Sequence, residues 1–315
     1  MSDTPERQAA NTVLLVQPVA FHGNPETLES NAFQRPPAAA DPAAEQAAAK
    51  VEFDGLVNCL QAAGVATVVV ADKMNPATPD AVFPNNWVSF HADGTVVLYP
   101  MMAPSRRGER RRDILELLSE THGFRIERVL DLSHHERSGR FLESTGSMVL
   151  DRVHRVAYAC LSARTDVAVF AEAARLLDYE PLAFTATDAD GVPVYHSNVM
   201  MCVGADFAVV CEEAITDQQQ RRAVRTRLEQ TGHEVIPITR AQMGDFAGNM
   251  LELASADGTR VLALSARALD ALQPQQLAAL AARCRLVAAP IAAIEEGGGG
   301  SVRCMLAEIH LPRRA

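Results

Sequence analysis

The sequence has no apolar run approaching the roughly 18 residues that a membrane-spanning helix needs. Its first ten residues, Met1–Ala10, are polar and of mixed charge, without the apolar centre of a secretory signal, so a cytoplasmic protein is expected. Positive charge is in deficit. Twenty-nine Lys and Arg against 39 Asp and Glu leave a net charge of −10, which argues against nucleic acid or an anionic membrane as a partner. A small cationic or zwitterionic substrate is compatible with that charge. Metal-ligand spacing is missing too. None of the six cysteines (Cys59, Cys160, Cys202, Cys211, Cys284, Cys304) sits in a C-x-x-C pair, and no His/Cys cluster has zinc spacing. A chain of 315 residues needs no disulfide staples, and five of the six are expected to be buried thiols acting as small hydrophobes. No feature of the sequence bears on the oligomeric state.

What the chain does have is a globular composition, 48% hydrophobic and 22% charged. Short β-rich runs alternate with amphipathic helical stretches, so the fold class is α/β or α+β. The first dozen residues read as a frayed tail, and residues 13–315 as one domain. The stretch from Arg35 to Gln46 is Pro/Ala-rich and turns helical through about Ala63. Five times, at intervals of about 55 residues, a small or polar residue opens a β-rich run: Asn86, Glu143, His196, Asn249 and Cys304. In the first four a turn and a second β-run follow, with hairpin residues at Asp93-Gly94, Asp151-Arg152, Gly204-Ala205-Asp206 and Asp257-Gly258. Helices are expected over Arg110–Thr121, Asp166–Leu177, Thr216–Thr231 and Pro274–Cys284. Closing strands are expected at Arg125–Val129, Glu180–Phe184, Glu234–Ile238 and Leu286–Ala289. The fifth unit is cut short by the C-terminus. One such unit cannot bury its own apolar face, but five stacked about an axis can. The opening residues would then converge on one pocket.

The chemical types in that set decide its reading. Cys304 follows four glycines, Gly297 to Gly300, which let backbone fold tightly over a ligand, and Arg303 places a positive charge next to the thiol. That makes Cys304 the candidate nucleophile. His196 is the natural acid/base partner in the same phase. Glu143, a carboxylate in an apolar setting, needs a partner such as a substrate N–H group. The charged stretch Arg106–Arg112 reads mainly as the exposed start of a helix.

On these residues the chain resembles the pentein, or amidinotransferase, superfamily, nearest the citrulline-utilisation hydrolases and arginine-deiminase-related proteins. The resemblance runs from Val13 to Leu311. It is carried by Asn24-Pro-Glu-Thr27, Asn31-Ala-Phe-Gln34, Phe83-Pro-Asn-Asn-Trp87, Tyr99-Pro-Met-Met102, Leu142-Glu143-Ser-Thr-Gly146, Leu161-Ser-Ala-Arg-Thr165, His196-Ser-Asn198 and the glycine run into Cys304. It implies a five-bladed α/β-propeller in which Cys304 attacks a guanidinium or ureido carbon, His196 moves protons and Glu143 holds substrate N–H groups. It also implies that Arg164 pairs with a substrate carboxylate, with Asn31, Asn85 and Arg107 (and Arg106) as further substrate-binding candidates. Arginine deiminases carry aspartates where this chain has Asn86 and Asn198. An amide both donates and accepts hydrogen bonds, which suits a neutral urea. Citrulline, hydrolysed to ornithine, ammonia and carbon dioxide without metal or cofactor, is therefore the expected substrate. An arginine dihydrolase, an arginine deiminase, an amidinotransferase and a non-catalytic binding protein of this fold are the alternatives.

Overall fold

The computed structural model describes residues 6–35 and 42–314. Strands β1 (Thr12–Gln17) and β2 (Ala66–Ala71) flank the helix Pro42–Ala62. After them one plan recurs: two antiparallel strands, a helix, and a third strand parallel to the second. It appears in β3 (Val88–Phe90), β4 (Thr95–Leu98) and β5 (Arg128–Asp131), with helix Arg112–Glu120 before the last. It returns in β6 (Met148–Asp151), β7 (Val156–Cys160) and β8 (Glu180–Phe184), with helix Val167–Leu176. The third copy is β9 (Met201–Val203), β10 (Phe207–Val210) and β11 (Glu234–Pro237), with helix Gln218–Gln230. The fourth is β12 (Leu251–Ala254), β13 (Arg260–Ser265) and β14 (Arg285–Ala289), with helices Ala266–Ala271 and Pro274–Ala281. The mixed α/β chain is thus a set of small three-stranded sheets.

The fifth unit is not cut short. β15 (Ala307–Glu308) pairs antiparallel with β1, and β1 pairs parallel with β2, so the N-terminal strands complete the sheet that Cys304 begins. The expected frayed tail is likewise corrected for residues 6–12. Buried Gln8 donates to the carbonyls of Leu150 and Val203, Glu6 pairs with Arg152, and Ala10 bridges to Leu253. The first five residues of that tail, and residues 36–41 of the Pro/Ala-rich stretch, lie outside the described residues. β5 begins three residues later than expected because the preceding segment is used elsewhere. Phe124 bridges to Arg313, Arg125 N–H donates to Pro312 and Glu127 N–H to Gly94.

The apolar core lies between each sheet and its helix. Val169, Phe170, Ala173 and Ala174 recur at helical spacing and are buried in one cluster with Ala157 and Ala159 of β7. A fully buried Phe or Leu contributes about 2 kcal/mol. Stability is therefore concentrated in these layers, which frees the inner strand ends to hold polar groups.

Those inner ends differ from expectation in one respect. The five repeat residues do not start strands but sit in tight turns just before them. Asn86 ends the 3₁₀ turn Pro84–Asn86, and Cys304 lies within the 3₁₀ turn Val302–Met305. Glu143 and His196 cap the single-turn helices Ser144–Ser147 and Ser197–Met200, and Asn249 precedes β12. The turn at Asn86 touches both the Ser144 turn and the Cys304 turn, and the Ser144 and Ser197 turns touch each other. Asn249 donates to the Asn198 carbonyl (2.8 Å), linking the Ser197 turn to its own.

Candidate active site

Four of the five repeat residues are joined in two hydrogen-bonded groups. Cys304 is 2% exposed, and its sulfur accepts from the side-chain amides of Asn198 and Asn249, each at 3.3 Å. Asn249 Oδ1 accepts the Arg303 main-chain N–H (3.0 Å), so the turn carrying the thiol is pinned at its backbone. Opposite, His196 Nε2 lies 2.9 Å from Glu143 Oε2. A carboxylate only accepts, so Nε2 carries the proton and Nδ1 keeps its lone pair. Asn86 joins through Arg106, whose Nη1 donates to Asn86 Oδ1 at 2.9 Å. A narrow cavity lies between the groups, lined by Asn86, Arg106, Arg164, His196 and Cys304 together with Asp80.

Burial would push the Glu143 carboxyl up, but Arg164 (3.5 Å), the His196 hydrogen bond and Arg106 (3.8 Å) overturn this and hold it well below the usual carboxylate range. Burial drives His196 the other way, down to about 4. Glu143 opposes that drop, and Arg164 and Arg106 add to it. At neutral pH the site therefore holds a neutral imidazole over an ionised carboxylate. Burial lifts the thiols of Cys160, Cys202 and Cys284 to about 12, which suits inert core cysteines. All six cysteines are free.

The family model described as N,N dimethylarginine dimethylhydrolase, eukaryotic, matches residues 17–311. The chain belongs to that family. It is thereby a member of the pentein superfamily. No curated protein matches the chain. Among solved structures, the N-terminal domain of ArgZ, an arginine dihydrolase from the ornithine–ammonia cycle in cyanobacteria, superposes with a TM-score of 0.72 at 18% identity, covering 95% of this chain and 99% of that one. AgrE in complex with L-arginine gives 0.73 at 18% identity over 96% of this chain, which spans 40% of AgrE. A dimethylarginine dimethylaminohydrolase adduct with S-methyl-L-thiocitrulline gives 0.64 at 14% identity, over 95% and 100% of the two chains. At these identities the likenesses establish the shared fold.

Within this pentein chain, several residues stand where the sequence reading did not put them. Glu143 is not among the residues lining the cavity. Its Oε1 accepts the Met102 N–H (3.0 Å) and its Oε2 faces His196, so neither oxygen is open to a substrate N–H. Arg164 lines the cavity, but its nitrogens are engaged by Ser30 Oγ, the Thr27 carbonyl and Glu143. Arg107 is not brought to the site; it is half-buried against the Met101 and Met102 carbonyls and Glu136. Arg303 turns its charge away from the thiol, donating to the Leu306 carbonyl and to Glu308. Asn31 does line the cavity and ties the glycine run down through the Gly299 carbonyl (3.2 Å). Asn85 is buried and does not line the cavity; its Oδ1 accepts from Asn86 Nδ2 (3.0 Å).

Arg106 enters more deeply buried than expected, and Asp80 enters unexpectedly. Arg106, read mainly as exposed helix start, is 2% exposed and doubly bonded to Glu109 at 2.9 Å. Asp80 lines the cavity with Oδ1 buried and without a partner, while Oδ2 accepts from Asn24 (2.7 Å). A lone acid before the apolar run Ala81–Phe83 was its only sequence signal.

The backbone shows why small residues occur here. Ser144 adopts a left-handed φ of 44°, unusual outside glycine, to swing the Glu143 turn inward. A Cβ on Gly146 would come within 2.4 Å of Asn86 Nδ2 and 2.7 Å of His196 Nδ1. Gly146→Ala is therefore expected to displace both side chains. We expect kcat/KM to fall about 100-fold while far-UV circular dichroism is retained, since a roughly 1 Å misplacement costs that much.

Proposed function

We propose that this chain hydrolyses a non-peptide C–N bond of a ureido or guanidino amino acid through a covalent Cys304 intermediate, with citrulline as preferred substrate. The observation that carries the ureido choice is the fixed orientation of two amides. Arg106 takes Asn86 Oδ1 and Asn85 takes one hydrogen of Asn86 Nδ2, which leaves the other N–H of the group that faces Gly146. Asn198 gives Nδ2 to the Cys304 sulfur, and its buried Oδ1 has no partner. One donor therefore remains on the cavity wall, and one unpaired acceptor remains on Asn198, which does not itself line the cavity but abuts the Cys304 sulfur. A urea carbonyl needs the first and its N–H groups need the second.

In this reading neutral His196 takes the Cys304 proton as sulfur bonds to the ureido carbon. It returns that proton to the departing nitrogen, and ammonia leaves an S-linked thiocarbamate. A water, deprotonated by His196, then displaces the sulfur. The resulting carbamate loses carbon dioxide to give ornithine. Glu143 is a positioning residue that holds the His196 tautomer. Asp80, with its open Oδ1, takes the substrate ammonium. Arg164 takes the carboxylate by exchanging the Ser30 hydroxyl. The repeated three-stranded sheets support reading the architecture as a single-domain, five-bladed α/β-propeller around this cavity. Six unpaired cysteines support a cytoplasmic setting.

A second reading has arginine enter first and be hydrolysed twice. The unpartnered Asp80 oxygen favours it, as a carboxylate also suits a guanidinium. Separate incubations with arginine and citrulline, read by mass spectrometry, test both. Ornithine from citrulline supports the proposal; citrulline left intact while arginine stops at citrulline overturns it. Asn86→Asp exchanges the donor for an acceptor. It is expected to lower kcat/KM for citrulline about 10- to 100-fold, the worth of one buried hydrogen bond near charge, and to lower that for arginine less.

A further inference from the structure

A second cluster of reactive side chains lies at the opposite end of β6 from Glu143. Asp151 ends β6 with its carboxylate buried, and both of its oxygens lie 3.0 Å from His154 Nδ1 in the hairpin turn. The next sheet contributes His233, the residue before β11, whose Nδ1 stands 3.9 Å from Asp151 Oδ2. The three ligand atoms lie within 4.8 Å of one another. Because His233 comes from a distant part of the chain, no spacing motif reveals the set.

The hairpin alone accounts for the Asp151–His154 contact, since Asp151 Oδ1 also accepts the His154 main-chain N–H (2.9 Å) in an Asx turn. It does not account for His233. Its Nε2 lies 3.0 Å from the Gly204 carbonyl, which can only accept, so Nε2 holds the proton and Nδ1 presents a lone pair. A backbone carbonyl fixing the far nitrogen is the usual support of a metal-binding histidine. Nδ1 also has the Thr231 hydroxyl at 2.9 Å, but that oxygen lies 3.0 Å from the Leu228 and Arg227 carbonyls and has one proton to give. The Tyr158 hydroxyl on β7 is buried with no hydrogen-bond partner. Arg227, a nearby cation, is paired with Glu180 at 2.6 Å.

Four ligands at about 2.0–2.1 Å around a tetrahedral ion are about 3.3 Å apart, between the 3.0 and 3.9 Å that separate Asp151 from the two histidines. We propose that Asp151, His154 and His233 form a binding site for a zinc-class divalent cation, with a water-filled fourth position, that staples two neighbouring sheets. On binding, the His154 Nδ1 proton passes through solvent to Nε2, so that Nδ1 offers its lone pair to the ion in place of its contact with Asp151.

The test titrates Zn²⁺ into the full chain against a chromophoric chelator, in wild type and in Cys304→Ala, which removes the competing active-site thiol. One zinc per chain in both, with a higher melting temperature, is expected. His154→Ala, at a partly exposed turn, should fold normally and weaken zinc binding about tenfold or more. No uptake, uptake lost with Cys304→Ala, or uptake unchanged by His154→Ala would overturn the proposal.

Discussion

Cys304→Ala should abolish turnover, by about 10⁴-fold or more, while the protein melts within a few degrees of the parent. The size of the effect follows from the proposed mechanism, since removing a covalent nucleophile costs most of the chemical rate enhancement. The modest structural effect follows from the packing. The sulfur accepts only two weak amide hydrogen bonds, and the turn is held separately through Asn249 Oδ1 and the Arg303 N–H. Steady-state kinetics and a thermal melt on the same preparation check both halves. Residual activity within tenfold of wild type would remove the thiol from the mechanism.

Glu143→Ala is expected to damage both stability and rate. The carboxylate is fully buried, bonded to His196 and Met102 N–H, and close to Arg164 and Arg106. Its loss leaves two buried guanidinium groups short of counter-charge, which costs about 3–5 kcal/mol when one partner of a buried pair is removed. It also frees His196 to rotate or change tautomer, so kcat should fall about 10²- to 10⁴-fold. Glu143→Gln keeps the shape and an acceptor for Nε2–H, and should recover part of the stability but little of the rate. Urea unfolding and kcat on both variants separate the two effects. A Glu143→Ala protein as stable as the parent would contradict the ion-pair arrangement.

The repeat was legible because hairpin residues and alternating apolar runs are local features, and the common phase of Asn86, Glu143, His196, Asn249 and Cys304 followed from them. What was not legible depends on contacts across the chain. The completion of the last sheet by β1 and β2 rests on pairing between the two ends of the sequence. Arg106 looked exposed because it sits in a run of arginines, yet Glu109 three residues on and Asn86 from the preceding turn draw it inward. Arg303 looked like an activator of the neighbouring thiol, but a side chain one residue away in a tight turn points elsewhere, here to Glu308. Asp80 carried only the weak signal of a lone acid before Ala81–Phe83; the cavity and its unpartnered oxygen single it out.

The central claim is that one thiol forms a covalent bond to the carbon of a ureido or guanidino group. Rapid acid quench of the wild-type enzyme with citrulline, followed by peptide mass spectrometry, tests it most directly. The account predicts a gain on the Cys304 peptide equal to citrulline less ammonia, absent from Cys304→Ala and decaying as ornithine appears. Ornithine formed at full rate with Cys304 unmodified at every time point would contradict it.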